Sequence, residues 1–274
     1  MNTLADLSQS RDLLVNLTLR ELRGRYKRSV LGWSWSLLNP LATMIIFSLV
    51  FGLLLKVPFT VGDPSGLHNY PAFLLCGLLA WNFVSNIMNG SMLALLGNAG
   101  LIKKVFFPRE VLVFATVAAL GWSFLIEVAV LAVYLIILGN MVLPWMLGVI
   151  VLMVLLTMFA TGIGLIVSVL NVYFRDLQYL IGIFLQLWFY ATPIIYSVER
   201  VPWIYHVGQH AIPARTIYSM NPMVGFVGAF RALLYDLRFP AWGQLAYITI
   251  WSVALLAIGF AVFRKFEPRL AEEL

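Results

Sequence analysis

Asn82, Ser85, Asn86 and Asn89 recur at helical spacing with Trp81 beside them, and Gln186, Tyr190 and Pro193 share a second such face flanked by Trp188, Phe189 and Tyr196. Uncharged amides and aromatic rings suit a polyhydroxylated substrate: hydroxyls exchange hydrogen bonds with amides, and rings stack on the apolar faces of sugars. The competing reading is that these amides pair between helices as packing contacts. Glu127 is the one formal charge inside any long apolar stretch, and an acid there is a functional candidate by default. With no His, Lys or second acid in another stretch it makes a poor proton relay, so a structural role, neutral or paired with a group toward the outer side, is expected.

Other chemistries lack their residues. There is no GxxxxGK[ST] phosphate loop, no Gly-rich loop after a strand, and no nucleophile with a base and an orienting group. The single cysteine, Cys76, excludes an internal disulfide, and three histidines, His68, His206 and His210, offer no multi-His metal centre. A membrane-embedded transferase would need paired acids at the bilayer surface, whereas Asp63, Glu199 and Asp236 are widely separated. No metal or cofactor site of the chain's own is expected.

The elements that must position these residues follow from composition. Of 274 residues, 62% are hydrophobic and 11% charged, with a mean hydropathy of +0.92. So few charges cannot cover a soluble globule, and the solvent for most of the chain is lipid. Six stretches reach spanning length: 37–55, 71–96, 111–138, 147–170, 177–198 and 243–263. When alternate connections are pooled, 1–36, 97–110, 171–176 and 264–274 carry 13 Lys and Arg in 67 residues, against 5 in the 67 residues of the other side. By the positive-inside rule both termini are cytoplasmic, and the net charge of +6 is a topology signal that needs no nucleic acid. The expected fold is therefore an all-α membrane protein with six transmembrane helices, a cytoplasmic segment 1–36, a membrane domain 37–263 and a cytoplasmic tail 264–274. The start lacks a cleavable signal, so the first span is expected to act as the membrane signal.

Three features lie outside the spans. Residues 12–28 pattern as an amphipathic interfacial helix with Val15, Leu19, Leu22 and Tyr26 as its apolar row and Arg20, Arg23 and Lys27 as its cationic one. Segment 97–110 predicts a short helix of about two turns that ends before Pro108 and exposes Lys103 and Lys104. An apolar, cationic segment of this kind is expensive to leave uncovered, which points to a protein partner. Segment 220–234 is too short to span, contains Arg231, and predicts external helices lying on or dipping into the outer leaflet.

The run LTLRELRGRYKRSVLGWSWSLLNPL at 17–41, followed by FLLCGLLAWNFVSN, LIKKVFFPRE, NVYFRDL, FLQLWFYATPIIY and NPM in that order, resembles type-2 ABC exporter permeases that move cell-surface polysaccharides. The resemblance implies a homodimer working with two separate cytoplasmic ATPase subunits, which bind ATP and Mg, to export a lipid-linked O-antigen, teichoic acid or capsular glycan. It implies that Leu101, Ile102, Lys103, Lys104, Val105, Phe106, Phe107 and Pro108 form the coupling helix on the ATPase, with Arg20, Arg23 and Arg25 adding a contact. It further implies a channel along the first and fifth spans: Phe47 and Phe51 on the first, and Trp188, Phe189, Tyr190 and Tyr196 on the fifth. Trp81, Asn82, Asn86 and Gln186 join that path from the spacing argument. Short re-entrant helices in 201–234, with Trp203, Tyr205, Asn221 and Pro222, would form an external gate. The rival readings are a proton-coupled lipid or glycan flippase using Glu127, and an ABC exporter of a small lipid or drug.

Overall fold

A computed structural model describes residues 11–25, 34–105, 107–207 and 210–273. Phe106 and segment 26–33, which carries part of the family-like run, lie outside the described residues.

The chain opens with α1 (Arg11–Arg25) and α2 (Trp35–Phe47), which continues as a π-helical stretch, Ser48–Leu54. Then come α3 (Tyr70–Leu96), a single turn α4 (Ala99–Ile102), α5 (Glu110–Ile137) and α6 (Met146–Tyr173). A shorter α7 (Leu177–Tyr190) follows. Beyond it lie a three-residue hairpin, β1 (Tyr205–Val207) with β2 (His210–Ile212), then α8 (Ala214–Ser219) and α9 (Pro222–Arg231), which runs into a π turn, Ala232–Asp236. The last long helix, α10 (Trp242–Phe266), precedes a short α11 (Leu270–Glu273). The expected all-α fold thus gains one small antiparallel hairpin, with Tyr205 opposite Ile212 and Val207 opposite His210.

Four helical segments are long and apolar enough to cross a membrane: Tyr70–Leu96, Glu110–Ile137, Leu143–Tyr173 and Trp242–Arg269. At 1.5 Å per residue each exceeds the ~30 Å hydrocarbon core. Two of the six expected stretches form shorter apolar helices, Pro40–Leu54 and Leu177–Tyr190. The fifth stops early because Pro193 disfavours helical geometry at Thr192 and has no N–H to give.

The centre of the bundle is α3, which is mostly buried between α5 and α6, with α10 laid along α6. Its start is fixed by Asn69, whose side chain accepts a hydrogen bond from the Ala72 amide at 2.9 Å, with Pro71 in the first turn. Lipid offers no hydrophobic drive between helices, so packing must come from close approach. A Cβ on Gly162 of α6 would lie 2.3 Å from the Leu255 carbonyl oxygen of α10, and one on Gly259 would lie 2.4 Å from that of Gly162. Only glycine fits at this crossing. Helix α9 is inserted against α3, α6 and α10 with Met223, Phe226, Val227 and Phe230 buried, so this segment dips into the bundle rather than lying on it.

Helix α1 packs on α5 through Leu17, with Leu13 and Leu14 half-buried, while Val15 and Leu19 point outward. Val15 and Leu19 of the row expected at the membrane interface thus face away from the bundle and Leu22 is half-buried, while a second apolar row packs on α5. Segment 97–110 holds one helical turn where two were expected; the chain turns at Lys103 and Lys104 instead of continuing.

Candidate translocation path and coupling surface

The aromatic residues singled out above meet in space. Trp81 of α3 stands edge-on to Trp188 at 5.4 Å and to Phe189 at 5.7 Å. Phe189 in turn meets Phe47 of α2 at 5.9 Å, and Phe47 meets Phe51 at 5.6 Å. Tyr190 flanks Phe189 at 5.3 Å and Phe184 flanks Trp188 at 5.2 Å. One cluster therefore joins α2, α3 and α7 at ring separations that favour edge-to-face contact. Within the chain the roles divide. Trp81, expected as a lining residue, is 5% exposed and supports Trp188 and Phe189 from behind, because the neighbouring helices enclose this face of α3. Tyr190 is 57% exposed and is the ring that a substrate could meet.

The amides behave differently from packing contacts. Asn86 and Gln186 are exposed and Asn82 is half-buried, and none of the three has a hydrogen-bond partner among the described residues. Asn89 spends its amide on the Ser85 carbonyl at 2.9 Å. Unpaired amides on helices that would otherwise face hydrocarbon call for water, a polar ligand or another copy of the chain.

Asn221 ties the path to the following segment. It accepts from the Trp188 indole at 2.9 Å and donates to the Ala191 carbonyl at 3.0 Å and the Thr192 hydroxyl at 3.1 Å. The same Oδ1 caps α9 by accepting from the Met223 amide at 3.0 Å, with Pro222 at the first helical position. Tyr196 donates to the Tyr190 carbonyl at 2.8 Å and lies 2.7 Å from the Tyr218 hydroxyl. Burial and the neighbouring Tyr196 hydroxyl both push the Tyr218 phenol above its ordinary value. Trp203 and Tyr205 do not join this hub; both are exposed, and Arg215 sits 4.4 Å from the Trp203 ring.

At the opposite end, Ile102 and Phe107 are buried while Lys103, Lys104 and Val105 are exposed, with Leu101 and Pro108 between. The tip is held from both sides. Arg20 of α1 donates to the Asn98 side chain, and Arg109 donates through its amide (3.2 Å) and guanidinium to Glu267. Arg23 is exposed beside Arg20, and Arg25 ends the helix. A notch of about 230 Å³ lined by Lys103, Lys104 and Arg109 opens at this tip.

Glu127 lines an apolar cleft of about 170 Å³ between α2, α3 and α5, with Leu41, Met44, Leu75, Leu79 and Tyr134. It has no ion-pair or hydrogen-bond partner among the described residues, so the pairing considered for it is not found there. Among the described residues no three His, Cys, Asp or Glu side chains could hold a metal ion.

Sequence reasoning missed Arg231. It is 8% exposed and donates to the carbonyls of Phe73 (3.2 Å), Pro193 (2.5 Å) and Ile194 (2.6 Å). Its guanidinium also lies 3.6 Å from the centre of the Phe73 ring. A cation inside an apolar 15-residue run was the available signal. Asn140 was missed too; it donates to the Leu234 and Tyr235 carbonyls at 2.8 and 3.2 Å and so fastens the π turn.

Four helical segments long and apolar enough to cross a membrane mark the chain as a multi-pass membrane protein. The chain belongs to the ABC-2 type transporter family, which residues 12–235 match. It is similar to an O-antigen export system permease protein RfbA from Klebsiella pneumoniae, 32% identical over 96% of this chain and 95% of the relative. A protein of the same description from Myxococcus xanthus is 30% identical over 98% of each. The polysialic acid transport protein KpsM of Escherichia coli is 28% identical over 93% of each.

Proposed function

We propose that this chain is the permease half of an ATP-driven exporter that carries a lipid-linked polysaccharide or teichoic acid out of the cytoplasm across the plasma membrane. The observation that carries this reading is the aromatic cluster that joins α2, α3 and α7, with exposed Tyr190 and Gln186 on α7, in a chain similar over 96% and 98% of its length to O-antigen export permeases. In this reading two copies pair and two separate ATPase subunits bind ATP and Mg. The pinned tip with Lys103, Lys104 and Val105, together with Arg20 and Arg23, seats on those subunits. Helix α2 with its π extension, 20 residues long, and α7 complete six spans, both termini face the cytoplasm, and Asn221, Pro222, Trp203 and Tyr205 belong to the external gate. ATP binding would close the ATPase pair, press on both tips and change the packing of α2 against α7, where Phe47 meets Phe189.

A second reading, a proton-coupled flippase, draws on one observation, the partnerless Glu127 in its apolar cleft. One paired assay separates the two. Trp188→Ala removes ring contacts of about 0.5 to 1.5 kcal/mol each and the hydrogen bond to Asn221, while Tyr190→Ala removes an exposed ring; surface glycan on intact cells should fall in both at matched expression. Glu127→Gln keeps the shape and forbids ionisation, so an ATP-driven exporter should tolerate it. Loss of display in Glu127→Gln with normal display in both aromatic variants would reverse the choice.

A further inference from the structure

A hollow of about 740 Å³ beside α8 and α9 lies outside the aromatic cluster described above. Its walls are the segment after α7 (Pro193, Ser197, Glu199), one side of α8 (Thr216, Ser219), α9, and the first turns of α10 (Gln244, Tyr247), with Arg231, Asp236 and Arg238 also on it. Its volume falls within the ~300 to 1,000 Å³ of small-molecule sites.

The lining selects the ligand. Arg231 and Arg238 face Glu199 and Asp236, and Arg238 pairs with Asp236 at 3.1 Å, so the charges cancel. A phosphate or lipid headgroup would need a net positive wall, and a cation a net negative one. A hydrocarbon tail would cover the charged, amide and hydroxyl groups interspersed in this wall and leave them without partners. What remains is a neutral ligand rich in hydroxyls, and the free valences suit it. Arg231 has five N–H groups and spends three on carbonyls, which leaves two. Gln244 gives its amide nitrogen to the Gly225 carbonyl at 2.7 Å and keeps its oxygen. Thr216 offers an exposed hydroxyl, Ser219 one turn on donates to the Thr216 carbonyl at 2.8 Å and keeps its oxygen as an acceptor, and Phe239 and Tyr247 add rings. Gly228 keeps the α9 wall bare at this point; a Cβ there would come within 2.8 Å of the Gln244 nitrogen.

The hollow also adjoins the path. Pro193 and Ser197 line it, while Tyr196, between them in the chain, is bonded back to Tyr190. We propose that this hollow is a saccharide-binding subsite on the exit side, which holds a short neutral stretch of the glycan as it leaves the membrane. The proposal rests on the export reading.

The test plugs the hollow after folding. Ser219→Cys is introduced at an exposed position, Cys76 being 1% exposed and out of reach of reagent. The complex with its ATPase, in nanodiscs, is labelled with a bulky maleimide or with a methylthio group. The probe is the delipidated polysaccharide released from the surface of the same cells, followed by saturation-transfer NMR. The unlabelled and methylthio forms should bind it, and the bulky adduct should weaken binding by about tenfold or more. Thr216→Trp, a plug that needs no chemistry, should do the same. No binding by the unlabelled complex, equal binding by the bulky adduct, or displacement of the probe by inorganic phosphate would each overturn the subsite. The export reading is judged separately, by whether deleting the gene abolishes surface display.

Discussion

Arg231 shows how one residue can fasten the segment after α7 and helix α9 to the bundle. Its hydrogen-bond partners are three carbonyls from two different parts of the chain, and among the described residues it forms no direct ion pair with a carboxylate. The carbonyls after the end of α7 have lost their helical donors because Pro193 interrupts the ladder, and an orphaned carbonyl in a dry site costs about 1 to 3 kcal/mol. A guanidinium supplies several donors from a single rigid fork, which lysine cannot do. Gly77 makes room for it, since a Cβ there would lie 3.2 Å from Arg231 Nη2. Arg231→Met should therefore destabilise the complex by about 3 kcal/mol, with relaxation trimming the sum of three lost bonds. The measurement is the thermal unfolding midpoint of the detergent-solubilised complex together with protease cleavage in 191–221. An unchanged midpoint and unchanged cleavage would show that the latch is dispensable. This residue was not legible beforehand for a physical reason. Charge partners can be sought among side chains, but carbonyl acceptors are released only where the backbone breaks, and that break became visible only with the fold. That Trp188, Phe189 and Tyr190 sit close on one helix was legible, because helical spacing alone fixes it.

At the scale of elements, apolar length was the readable quantity and packing was not. The segments that became α3, α5, α6 and α10 could be delimited to within a few residues, because nothing but a helix satisfies such a run in lipid. Which face of α1 seats on the protein was not readable, since its two apolar rows compete and the surface of α5 decides between them. The tip at 97–110 was legible in chemistry and wrong in length. Its cations are exposed as expected, but its rigidity comes from Arg20 on Asn98 and Arg109 on Glu267 rather than from added helical turns. That arrangement bears on coupling, because a pinned tip transmits a push that a loose loop would absorb. Reversing both charges, Lys103→Glu with Lys104→Glu, should leave folding intact because the side chains are exposed. ATPase subunits that dock through acidic groups should then co-purify in reduced yield, and surface glycan should fall in parallel. Normal co-purification with normal display would remove the tip from the coupling surface.

For the whole molecule the question is which way the bundle sits and what covers its bare flank. Helix α7 buries only Leu185, while Tyr179, Leu180, Ile183 and Leu187 are each at least 60% exposed. With the unpaired Gln186 on the same helix, this flank is neither a purely lipid surface nor a finished core, and a second copy would cover part of it. Orientation rests on the uneven cations, 13 against 5 over equal lengths. Each positive charge that would have to cross during insertion adds to the bias, so the basic face with Lys103, Lys104 and the C-terminal Arg264 and Lys265 should be cytoplasmic. The two short helices make this worth measuring. If α2 with its π extension failed to span, the ends of the chain would lie on opposite sides. Single cysteines at Gly97 and Glu273, with Cys76 replaced by Ser, should react with an impermeant maleimide only after the cells are opened. One at Ser65, in the connection between α2 and α3, should react on intact cells. Labelling of Ser65→Cys only in opened cells would mean that α2 does not cross, and labelling of Glu273→Cys from outside would remove one of the later spans. Six crossings require all three results together: with the N-terminal segment cytoplasmic, loss of the first span would move Ser65 inside, loss of the second alone would move Gly97 outside, and loss of one of the last four would move Glu273 outside.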